Sequence, residues 1–142
     1  MIRYETGFHR RNLIGQLLLV GLWLGVTVVA LALRPSPAGY GTHQQLGLPA
    51  CPSHMIFGRP CPSCGMTTSV TALLHGDLPA AVRANPFGPP FYLLLTAMAA
   101  GAFVGYLRGA RFNTNTRSFN IAALGFLGIF VAYGIYRFFT PG

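Results

Sequence analysis

LIGQLLLVGLWLGVTVVALAL, residues 13 to 33, runs for 21 positions without one charged side chain. A helix rises 1.5 Å per residue, so about 20 apolar residues cross the hydrocarbon core of a bilayer. Two further runs read the same way. FYLLLTAMAAGAFVGYL (Phe91–Leu107) is slightly short, and residues 87–90 extend it through the interface. FNIAALGFLGIFVAYGIYRFF (Phe119–Phe139) is long enough and keeps Asn120 and Arg137 near its ends. Hydrocarbon offers no partner to an unpaired backbone amide, so each span must be helical. The expected fold is therefore an all-α integral membrane protein, a single membrane domain over 1–142 with spans at about 13–33, 90–108 and 119–139.

Composition agrees. Apolar residues make up 52 % of the 142 positions and charged residues 8 %, against roughly 25 % charged in soluble domains. The only acids are Glu5 and Asp77, and all ten basic residues are arginine. A net charge of +8 would ordinarily point to nucleic acid. Here the arginines stand singly between apolar runs and form no basic face, so the expected partner is lipid and not nucleic acid. The first run has a basic lead (Arg3, Arg10, Arg11) and an Ala30-x-Ala32 pair, as signal peptides do. It is about twice as long as the 7–15 residues of a signal-peptide core, so it reads as a retained span.

With three spans, Arg3, Arg10 and Arg11 share a side with Arg108, Arg111 and Arg117, leaving Arg34, Arg59, Arg83 and Arg137 opposite. The N-terminal cluster sets the orientation, which puts the N-terminus in the cytoplasm and residues 34–86 outside. Disulfides form and persist there.

That outer segment is the informative one. Residues 34–60 are rich in proline and glycine and predict irregular backbone. From Ser63 to His75 the pattern turns helical, with Met66, Val70, Leu73 and Leu74 on one face, Ser63 as N-cap and Gly76 as the stop. Asp77 caps a second short helix, Leu78–Ala84, which Asn85-Pro86 ends. The two make a short helical elbow between the first and second spans.

CPSHMIFGRPCPSC, residues 51 to 64, holds every cysteine of the chain. Three readings of it stand. Cys51, His54, Cys61 and Cys64 form two x2 clasps, the four soft or borderline donors that structural zinc takes. Cys61-Pro62-Ser63-Cys64 is a C-x-x-C whose second sulfur opens a helix, where the thiolate is favoured, although no βαβ pattern surrounds it. Lastly, two cysteines cross-linked would simply staple a loose loop. On the helix that follows, Thr67, Thr68, Thr71 and His75 continue from Cys64 as a polar stripe. It is expected to be a wet face toward headgroups or the protein interior, the alternative being a polar groove for a ligand or proton. Ser63, His75 and Asp77 sit at helix ends and make no convergent catalytic set. Arg137 is expected to snorkel or to pair with Asp77, and His9 and His43 to be solvated. Gly21, Gly25, Ala97, Gly101 and Gly105 recur at four-residue spacing and predict close packing of the spans, or docking on another subunit.

GRPCPSCGMTTSVTALLHGDLPAAVRANPFG, residues 58 to 88, together with Cys51-Pro52, resembles a bacterial family of small membrane proteins known as a domain of unknown function (family 2752). The motif residues that carry the resemblance include Gly65, Thr67, Gly76, Asp77, Leu78, Ala81, Asn85 and Pro86. Members often have arginine where this chain has Thr68, so an anion-pairing role there does not transfer. The resemblance implies a multi-pass protein of the bacterial inner membrane and names no catalytic residue. The leading reading is a non-catalytic accessory or assembly subunit whose Cys/His elbow, held by a disulfide or a structural zinc, shapes a docking surface for another membrane subunit or a second copy. The alternative is a membrane thiol–disulfide or metal-dependent enzyme using Cys61 and Cys64.

Overall fold

A computed structural model describes residues 3–6, 14–59, 61, 63–113 and 117–140. Leu13, His9 and Pro62 therefore lie outside the described residues. Helix α1 (Ile14–Ala32) leads into an elbow that contains a 3-10 turn (Thr42–Leu46) and three short helices, α2 (Pro52–Phe57), α3 (Met66–Leu74) and α4 (Leu78–Ala84). Helices α5 (Gly88–Leu107) and α6 (Arg117–Phe139) follow. Helices α1, α5 and α6 are each long and apolar enough to cross a membrane, as the hydropathy predicts. Their lipid-facing residues, among them Leu18, Leu93 and Leu124, are more than three-fifths exposed because the bilayer is their solvent.

Helix α5 begins at Gly88, so Pro89 and Pro90 occupy its first turn. No intrahelical acceptor exists there for the amide that proline lacks. Two strands, β1 (Arg3–Thr6) and β2 (Ala110–Asn113), pair antiparallel with Arg3 opposite Asn113. This small ribbon, four residues to a strand, is what the sequence reading lacked. It joins the chain's start to the α5–α6 connection, away from the elbow.

Helices α1 and α5 pack side by side through polar pairs inside an apolar seam. Trp23 Nε1 donates to Thr96 Oγ1 at 3.0 Å, and the Thr27 and Tyr92 hydroxyls lie 2.7 Å apart. Ala30, Val70 and Tyr92 form the buried core where α3 meets this pair. Gly21 and Gly25 do not serve the packing expected of them: both are exposed, and a methyl built on either meets nothing within 4 Å.

The elbow differs from its prediction in several particulars. Residues 34–60 are not wholly irregular, since they hold the 3-10 turn and α2. Helix α3 starts at Met66 with Gly65, not Ser63, as N-cap. Its end is as read: Gly76 takes φ +83°, and the Asp77 and Gly76 amides donate back to Ala72 O and Leu73 O. That pair of bonds is the Schellman arrangement, which satisfies carbonyls the helix leaves over. Asp77 then caps α4 by accepting from the Ala80 amide at 2.9 Å.

Helix α6 reaches the elbow at three points. Phe87 sits among Phe126, Phe130 and Tyr133. Arg59 Nη1 donates to Phe138 O at 3.0 Å, with its guanidinium over the Phe138 ring. Arg137 Nη1 donates to Cys64 O at 3.1 Å and Ala84 O at 3.3 Å. Arg137 thus neither snorkels nor pairs with Asp77. Two backbone carbonyls hold it instead.

Candidate functional site

The elbow converges on its sulfurs. The turn at residues 63–65 is closed by the Cys64 amide donating to Cys61 O at 3.0 Å, which folds the C-x-x-C back on itself. Helix α2 starts at Pro52, right after Cys51, and returns the chain at Gly58 with φ +64°. Cys61 Sγ consequently lies 3.3 Å from both Cys51 Sγ and Cys64 Sγ, and all three sulfurs fall within 4.8 Å of one another. None of the three is in a disulfide. They line a cavity of about 470 Å³ together with Tyr40, His43 and Met66.

Of the four expected metal donors, three are brought together and His54 is not among them. Its ring stacks on Tyr40 with centroids 4.7 Å apart, although it borders the same cavity. Spacing alone showed the two x2 clasps as equivalent. The aromatic partner that draws His54 aside stands eleven residues upstream of Cys51 in a stretch without helical pattern. His43 is half-buried rather than solvated, with Nε2 3.1 Å from Pro49 O.

The three thiols are not alike. Burial raises Cys61, but hydrogen bonds from Ser63, Cys51 and Cys64 to its thiolate outweigh burial and bring it to about 7. Burial, followed by the hydrogen bonds with Cys51 and Cys61, pushes Cys64 up to about 12. The direction at Cys64 reverses the expectation of a thiolate favoured by a helix start, because α3 begins only at Met66 and Cys64 is just 7 % exposed. Thiolate, not thiol, reacts with iodoacetamide. In reduced, chelator-treated protein, alkylation of Cys61 should therefore rise with pH through a midpoint near 7 while Cys64 stays unreacted through pH 9. Peptide mass mapping across a pH series reads this directly. Equal rates at both positions would refute the asymmetry.

The polar stripe divides. Thr68 and Thr71 are buried, so the face turns to the protein interior instead of water. Thr68 Oγ1 meets Thr42 Oγ1 at 2.6 Å, tying α3 to the 3-10 turn, and Thr71 Oγ1 is buried without a hydrogen-bond partner. Thr67 is half-buried beside the cavity, and His75 is exposed with Nδ1 2.7 Å from Thr71 O. A neighbour absent from the sequence reading is Ser69, fully buried, whose hydroxyl reaches Ala81 O at 2.7 Å and Asn85 O at 2.8 Å.

The motif residues are architectural. Gly65 and Gly76 supply positive φ, and Asp77 caps α4. Asn85, fully buried, accepts from the Phe87 amide at 3.0 Å and donates Nδ2 to Cys64 O at 3.4 Å. Pro86 follows in the half-buried turn that opens α5. Each lies in the stretch a family model covers. Residues 51–99 match the family described as a protein of unknown function (DUF2752), which supports the resemblance read from the motif. Comparison with curated proteins and with solved structures gave no match.

Proposed function

We propose that the protein is a non-catalytic accessory or assembly component, one membrane domain whose elbow docks another membrane subunit. The observation that carries this is an apolar ridge outside the spans. Met55, Ile56 and Phe57 on α2 are 69 %, 73 % and 64 % exposed, and Leu46 and Leu48 are about half exposed. Such side chains gain by being covered, roughly 1.5–3 kcal/mol for each one fully buried. The elbow beneath is braced for the load. Its buried polar groups, Thr42, Thr68, Ser69 and Asn85, bond within the elbow or to the start of α5.

The expected orientation is N-terminus inside and elbow outside, in a bacterial inner membrane. The β1–β2 ribbon is consistent with this sidedness, since it pairs Arg3–Thr6 with Ala110–Asn113 and so keeps Arg3 on the side of Arg108 and Arg111. The cysteine cluster closes the elbow whether a disulfide or a structural ion joins it.

The test is Ile56→Glu, purified in mild detergent from its native membrane beside the unaltered chain. A defined membrane subunit should accompany the unaltered chain and be lost from the variant, with the thermal midpoint unchanged. A chain that purifies alone, an unaffected complex, or self-association as the sole complex overturns the reading.

A second reading keeps one specific observation in its favour. Half-buried Cys61 with buried Cys64 3.3 Å behind it is the attacking and resolving pair of thiol–disulfide exchange. Cys61 thiolate would attack a substrate disulfide and release one substrate thiolate. Cys64 would then displace the second, leaving Cys61–Cys64 oxidised and the substrate reduced.

A further inference from the structure

Two cysteines suffice to close a loop, and here a third converges on the same point. A disulfide would join Cys61 to one neighbour and leave the other sulfur crowded against it. Three thiolates each about 2.3 Å from a shared ion stand about 4 Å apart. The sulfurs present, with two pairs at 3.3 Å and every pair inside 4.8 Å, need move apart by less than about 1 Å in those two pairs to reach that spacing.

The surroundings choose among ions. Among the described residues no carboxylate lines the cavity, and Asp77 is engaged at the α4 cap, so the anionic oxygen ligands that hold calcium and magnesium are missing. Zinc asks for a fourth donor. Neither histidine on the cavity wall joins the three sulfurs: the His54 ring stacks on Tyr40, and His43 Nε2 lies 3.1 Å from Pro49 O. The remaining candidate nearby is a thioether, that of Met66. Three thiolates with a thioether nearby and no carboxylate among the described lining residues favour a soft monovalent ion that is content with three sulfurs. Positive charge stands near to balance the anionic sulfurs: the Arg137 guanidinium is 3.1 Å from Cys64 O.

We propose that Cys51, Cys61 and Cys64 form a three-thiolate site for monovalent copper. Binding forms three Cu–S bonds and releases the proton of each thiol that still carries one, with no change of oxidation state. This goes beyond the docking reading, which needs only a rigid elbow whatever closes it.

The full chain in detergent, reduced and kept under argon, is titrated with Cu(I) against a chromophoric copper(I) chelator and, separately, with Zn(II) against a zinc indicator. The expected result is one copper per chain, all three thiols shielded from alkylation, and zinc surrendered to its indicator. Cys51→Ser and Cys61→Ser should each weaken copper retention by about 100-fold or more. Unchanged Trp23 fluorescence and elution volume certify the fold. Should Cys61→Ser misfold, Cys51→Ser decides, since that residue lies just ahead of α2, outside the α3–α4 packing. Zinc held more tightly than copper overturns the proposal. So does copper retained equally by Cys51→Ser, or a disulfide among these positions in protein purified from its native membrane without reductant. Each of these outcomes leaves the Ile56→Glu result, and so the docking reading, to stand or fall separately.

Discussion

Gly65→Ala should cost about 2–5 kcal/mol and open the sulfur site. Two effects add. The position sits at φ +82°, where a side chain other than hydrogen strains the backbone by about 1–2 kcal/mol. A Cβ there would also lie 2.5 Å from Ala84 O and 2.7 Å from Gly39 O. Both are main-chain atoms, unable to swing aside as a flexible side chain does, so the overpacking adds about 1–3 kcal/mol. Three segments must part for the methyl to enter: the Cys64–Gly65 turn, the end of α4 and the loop after α1. Thermal unfolding in detergent measures the loss, and alkylation of Cys64, now 7 % exposed, should accelerate toward the rate of an exposed thiol. Gly58→Ala is the matched control. Its φ is +64°, but nothing lies within 4 Å of the added methyl, so only the strain remains. Equal losses in the two variants would show that the close approach at Gly65 carries no weight.

The contrast between those two glycines shows what the sequence could and could not convey. The spans were legible because one property, freedom from charge over about 20 residues, fixes both location and helical state in lipid. The Asp77 cap and the Gly76 stop were legible for a similar reason: each is a local rule acting over a few residues. The convergence of Cys51 with Cys61 and Cys64 was half legible. Spacing brought the three cysteines into one segment, but the turn at 63–65 that aims their sulfurs depends on Gly65 fitting against Ala84, nineteen residues on.

What stayed hidden is of that long-range kind. Thr68 resembles a wet-face residue until the 3-10 turn 26 positions earlier covers it with Thr42. The β1–β2 ribbon joins segments a hundred residues apart through backbone bonds, which leave no periodic trace in four-residue strands. Gly21 and Gly25 follow the spacing of packed helices, and yet the seam with α5 runs along the Trp23–Thr27 face. A pattern gives the spacing of a face but not which neighbour arrives to use it.

Arg137 is the long-range contact with the most to lose. Ala84 is the last residue of α4, where helix carbonyls lack intrahelical donors and the helix dipole places partial negative charge. Cys64 O, in the turn before α3, is a second such orphan, shared between Arg137 and Asn85. One guanidinium nitrogen serves both, and so fastens the end of α6 to the two sides of the sulfur elbow. A hydrogen bond from a charged donor contributes about 1.5–3 kcal/mol. Because a single nitrogen is shared and the side chain is only half-buried, Arg137→Leu should cost about 2–3 kcal/mol, and not twice the single-bond figure. Arg137→Lys, which keeps the charge but not the planar reach, should recover part of this. The nearby Arg59–Phe138 bond ties the same helix end independently. Either clasp alone holds it in place, so removing both should cost more than the sum of the single losses. Unfolding midpoints for the two single variants and the double one complete the cycle. Strict additivity would mean that the two arginines brace separate parts of the molecule, and an unchanged midpoint in Arg137→Leu would mean that its two carbonyl bonds do not help to join α6 to the elbow.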